Sequence, residues 1–175
     1  AGDMQLEREM LSAMAPLLPF REGILALERG RRKMEDADPQ AAAGQIAKIP
    51  EQVKAVRARI EAAREKKEGD AAKPAEGRDA PLDVSPVVAK RAAGAIEDLR
   101  RELSAWATYY DGYQPDFSWW IRQPREAADR ALDDYAKFLR ETIAGQKGEP
   151  EDPLVGDPIG EAALLRSLRT EMIPY

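Results

Sequence analysis

Proline sets the outline of this chain. Pro39, Pro50, Pro86, Pro124 and Pro158 each stand where an apolar stripe of helical period begins. Proline is favoured at the first helical position, where its missing N–H would have no partner, and it breaks a helix that it enters further on. Asp38, Ser85 and Asp157 precede three of these prolines and can accept from the unpaired amides of a first turn. No segment shows the period-two alternation of a half-buried strand. The expectation is an all-α fold: long antiparallel helices packed as a hairpin or bundle, with essentially no sheet.

The stripes divide the chain into three parts of one helical body. Residues 1–48 form a kinked N-terminal region. Leu6, Met10, Leu11, Met14, Leu17 and Leu18 make a first stripe; Pro16 and Pro19 interrupt it, and Phe20, Ile24, Leu25 and Leu27 resume it. Arg29, Arg31, Arg32 and Lys33 suit the negative end of a helix dipole better than a binding patch. A short Ala-rich helix is expected over 39–47. Residues 49–110 read as a helical hairpin. Ile49, Val53, Val56, Ile60 and Ala63 form one seam, and Val88, Ala92, Ala95, Ile96, Leu99, Leu103, Trp106 and Tyr110 form the other. Residues 69–84, rich in Ala, Gly, Pro and charge, read as a flexible linker between them. Glu97 and Arg101 are spaced for an i,i+4 pair. Residues 111–175 read as an aromatic loop followed by two helices opened by Pro124 and Pro158, with Gly145 ending the first.

Composition removes many functions. The 175 residues contain no His and no Cys. That excludes an H-E-x-x-H zinc site, a Ser-His-Asp triad, a His general base and a thiol nucleophile within this chain. A net charge of −5, from 27 basic and 32 acidic residues, argues against nucleic acid, whose phosphates need Lys and Arg. No apolar run approaches the roughly 20 residues of a membrane span. The start AGDMQLERE is polar and suits a mature N-terminus left after a leader is removed, so a cytoplasmic and an exported origin both fit. Asp133 and Asp134, or Glu149, Glu151 and Asp152, are carboxylates that can meet a hard cation, although adjacent helical acids point apart and loop acids are normally solvated. A carboxylate-only glycosidase would need a selected pair, and no spacing selects one.

The unusual segment is aromatic. Seven of the eleven aromatic residues lie between 106 and 120: Trp106, Tyr109, Tyr110, Tyr113, Phe117, Trp119 and Trp120. Rings of this size plug the ends of long helices, and core is the favoured reading. The competing reading is a ligand-facing wall, with Tyr113, Trp119, Trp120 and Arg122 as substrate-facing candidates beside Asp111 and Asp116. Trp119 inward with Trp120 outward, or the reverse, satisfies both.

The run Tyr109-Tyr-Asp-Gly-Tyr113, Pro115, Phe117, Trp119-Trp120, then Pro124 and an Ala-rich helix, resembles a bacterial family known as domain of unknown function 885. So do Gly156-Asp-Pro-Ile-Gly160-Glu161, the leucines at 164, 165 and 168, Glu171-Met-Ile-Pro-Tyr175, and the helix Ile49 to Ile60. The resemblance runs from about residue 40 onward. That family is similar to thermolysin-like zinc metallopeptidases: mostly helical, longer than this chain, often exported, with H-E-x-x-H well downstream of its I-P-Y segment. The resemblance therefore implies a non-catalytic N-terminal segment, cut before the catalytic motif, that shapes or covers a peptide substrate cleft. Its partner would be the remainder of its own polypeptide, which would hold the zinc; no cofactor, catalytic residue or metal ligand is expected in this chain. Export is slightly favoured on the same ground. The alternative is a free-standing helical interaction module built on the seams at 49–63 and 88–110.

Overall fold

Each helix starts or turns where its sequence supplies the means, as seen in a computed structural model that describes residues 2–68, 80–112, 115–148, 155 and 160–170. Helix α1 runs Gly2–Met14, α2 Arg21–Arg32, α3 Pro39–Ile46, α4 Ile49–Glu68, α5 Pro86–Tyr110, α6 Pro115–Lys137 and α7 Glu161–Thr170. Asp38 caps α3, its Oδ1 accepting from the amides of Gln40 at 3.0 Å and Ala41 at 3.1 Å. Ser85 caps α5, its Oγ accepting from the Val88 amide at 3.3 Å. Pro39 and Pro86 then occupy the first helical positions, and Pro50 lies in the first turn of α4. No strand occurs among the described residues, so the chain is an all-α helical bundle. Among the described residues no single helix is long and apolar enough to cross a membrane.

The two early prolines break the first stripe. Ala15–Leu17 tighten into a 3-10 turn around Pro16, and the chain bends by 114° between the helices on either side. The bend turns Leu17, Leu18, Phe20 and Ile24 into the core.

Pro124 departs from the expectation. It does not open a helix; it sits inside α6, which begins at Pro115 and takes in most of the segment expected to be a loop. An internal proline removes one backbone bond and costs about 3 kcal/mol. Continuity is favoured because Phe117, Ile121, Ala128, Leu132, Tyr135 and Leu139 then lie along one buried face. Helix α6 widens into a π-turn over Phe138–Ile143, closed by the Ala144 amide on the Leu139 carbonyl at 2.9 Å. Gly145 follows at φ +74°, a conformation that favours glycine.

The hairpin also differs from expectation. Helices α5 and α6 run antiparallel, joined through Asp111 and Gly112, the latter at φ +86°. Their pairs run in opposite order: Trp106 with Phe117, Arg100 with Asp129 and Asp133, Glu97 with Arg140. Helix α6 also packs on α3 and α4, and α2 packs on α5. The 49–63 and 88–110 seams are therefore joined by α6 into one core. The Glu97–Arg101 pair is replaced: Arg101 turns to Asp98, and Glu97 binds Arg140 across the hairpin. Of the 69–84 linker, 69–79 lie outside the described residues. Leu82 is tied back to α4 by its amide on the Arg59 carbonyl at 3.1 Å. Asp157 and Pro158 also lie outside them, as do Glu149, Glu151 and Asp152.

Candidate functional site

The aromatic segment divides into a core and a wall. Trp106 is 1% exposed and packs on Phe117 and Tyr110, with ring centres 5.4 and 5.7 Å away. The rings of Phe117 and Tyr110 are 5.5 Å apart, which completes the plug between α5 and α6. The Tyr110 hydroxyl donates to the Glu35 carbonyl at 2.7 Å and fixes the chain after α2. Two residues beyond Phe117 the environment reverses. Trp119 is 73% exposed. Trp120 is half-buried against the core and meets Trp119 edge to face at 4.8 Å, with an angle of 86° between the rings. Of the two orientations left open by the sequence, Trp120 is therefore the inner ring and Trp119 the outer.

These two rings form one side of a groove of about 840 Å³. Its α6 side carries Pro115, Ser118, Trp119, Trp120, Arg122, Gln123 and Pro124; its α3 side carries Gln40, Ala43, Gly44 and Ala47. The volume is within the range of ligand clefts, roughly 300–1,000 Å³. Three of the residues singled out in the sequence thus come together, Trp119, Trp120 and Arg122. Tyr113 lies outside the described residues. Asp116 is exposed and does not line the groove.

Helix α3 was not anticipated as the facing wall. Its only signal was small side chains, Ala41 to Gly44, within an eight-residue helix. At Gly44 an added Cβ would meet nothing within 4 Å, so this wall is open space rather than close packing.

A smaller cleft of about 220 Å³ adjoins the groove and shares Ser118 and Arg122 with it. Asp111, Arg125 and Glu126 line it above Ala107, Phe117 and Ile121. The Ser118 hydroxyl donates to Asp111, and Glu126 pairs with Arg130.

The strongest electrostatic cluster lies elsewhere. Glu28, 5% exposed, accepts from Arg31 at 2.7 and 2.5 Å and from Arg32 at 3.0 Å. The Arg31 hydrogen bonds, ahead of those from Arg32, hold its carboxyl down at about 2. Arg31 also sits 5.4 Å from the Tyr109 ring centre. This joins α2 to α5, so the basic run does end a helix, and it pairs with an acid whose burial the sequence pattern does not reveal. Asp133 is likewise occupied: Lys137 first, then Arg100, hold its carboxyl below the usual range. Asp134 lies exposed beside it. Among the described residues no three acids converge as metal ligands.

The fold and site define the class: an all-α bundle with an aromatic-walled groove between a short and a long helix. Comparison with models of known protein families, with curated proteins and with solved structures finds no match to this chain.

Proposed function

We propose that this chain is a non-catalytic helical segment of a metallopeptidase-like protein and that its α3–α6 groove lines the path of a peptide substrate. The observation that carries the reading is Trp119, a large indole left 73% exposed and braced edge to face by Trp120 along a groove. Exposed rings held in a fixed geometry give a peptide apolar contact area at little entropic cost. Backbone-length polar side chains at Gln40 and Gln123 stand beside them to take peptide N–H and C=O groups.

The resemblance at 109–124 supplies the parent class. Zinc and a general base would belong to the remainder of the polypeptide, because this chain has no His or Cys to offer. What this chain contributes is orientation of substrate. The interaction-module reading is less well supported, since Val53, Val56, Ile60, Ile96, Leu99 and Leu103 are buried within the chain's own core.

Two measurements test the proposal. The reading frame that encodes this chain should also encode H-E-x-x-H; a frame without it removes the parent class. The chain alone, given zinc and a peptide library, should bind peptides at the groove without cleaving them. Zinc-dependent hydrolysis by this chain would contradict its non-catalytic role.

A further inference from the structure

Resting on that peptide-groove reading, we infer that the groove selects an acidic peptide: a carboxylate held by Arg122 and Arg125, beside an apolar residue laid against Trp119 and Trp120. Most arginines with a described side chain are paired with a carboxylate, as with Arg29 and Glu22, Arg57 and Glu61, Arg100 and Asp129, or Arg140 and Glu97. Arg122 and Arg125 have no carboxylate within ion-pair distance among the described residues. They stand three apart on α6, which places them on neighbouring parts of one helix face.

The two acids that line the cleft each have a partner. Asp111 accepts from Ser118, and Glu126 is held by Arg130. The cleft thus carries Arg122 and Arg125 beside Asp111, which keeps its charge, and Glu126, whose charge Arg130 offsets. Arg122 lines both cavities, and among the described residues it is the only charged one lining the larger. A ligand lying along the Trp pair therefore meets positive charge where the groove opens into the cleft. A guanidinium binds carboxylate through a planar fork, so a side-chain carboxylate one residue away from the apolar contact fits the order of the lining.

The test uses the whole chain and two capped peptides, acetyl-Pro-Glu-Leu-amide and acetyl-Pro-Gln-Leu-amide, with binding followed by tryptophan emission. The Glu peptide should bind about tenfold tighter at low salt, the factor expected of a charge-assisted pair. Raising the salt should narrow the difference, because the site is open to solvent. The double variant Arg122→Gln/Arg125→Gln should lose the preference and keep the affinity for the Gln peptide. Circular dichroism shows whether it folds as the parent does; if it does not, Arg122→Lys/Arg125→Lys gives the same reading, with the preference for Glu reduced but not lost. Equal binding of the two peptides by the unaltered chain overturns this inference and leaves the peptide groove standing. A preference that survives the double Gln variant overturns the assignment to these arginines. Binding of neither peptide overturns the groove reading as well.

Discussion

Single residues show how differently the same side chain can be used. Trp106 and Trp119 lie 13 positions apart in one aromatic-rich segment, yet one is sealed between helices and the other faces solvent. Trp106→Ala should cost about 3–5 kcal/mol in urea unfolding, as removal of a buried large aromatic does. Glu28 gives a second residue-level test. Its carboxyl titrates at about 2 when folded against 4.5 as the reference value, so the folded state holds the charged form more tightly. Stability from this group is fully present above about 4.5 and is lost as pH falls toward 2. Glu28→Gln should lower stability at neutral pH by about 1–3 kcal/mol and flatten the acid limb of the unfolding profile across that window. The basic run at 29–33 was legible as a helix end. Its pairing with Glu28 follows the local i,i+3 and i,i+4 spacing; the burial of Glu28 was not legible, because a carboxylate on a helix face looks like any surface acid until a neighbouring helix covers it.

At the scale of elements, proline punctuation was a sound guide where a cap preceded it. Asp38 and Ser85 made the α3 and α5 starts legible. Pro124 had no such cap, only Gln123 before it, and a stripe running through it: Phe117, Ile121, Ala128 and Leu132 keep helical spacing on both sides. The period of that stripe outweighed the backbone penalty of the ring. Replacement should reveal the penalty. Pro124→Ala should raise stability by about 1–3 kcal/mol in denaturant unfolding, with no loss of helix signal. A lower stability would mean that Pro124 opens a helix after all. The pairing of α5 with α6 was also hidden. The seams at 49–63 and 88–110 announce apolar faces, but a seam does not name its partner. The choice falls to long-range pairs such as Arg100 with Asp129 and Asp133, which no local pattern encodes.

For the whole molecule, the all-α architecture followed from periodicity and from the lack of alternation. Half of the candidate site was legible too. Trp119, Trp120 and Arg122 stood out as types and as neighbours. The facing wall on α3 did not, because Ala43, Gly44 and Ala47 carry no chemistry and matter only for the space they leave. The bundle buries its long seams and leaves Trp119 the most exposed aromatic side chain among the described residues, on the wall of the groove. On the proposed reading Trp119 serves a ligand rather than the fold. The direct measurement is Trp119→Ala followed by both urea unfolding and peptide titration, the latter by calorimetry so that the lost indole does not remove the signal. Stability should change by no more than about 0.5 kcal/mol, and the Glu peptide should bind at least roughly tenfold more weakly. A loss of about 3 kcal/mol or more in stability, or unchanged peptide affinity, would contradict that reading.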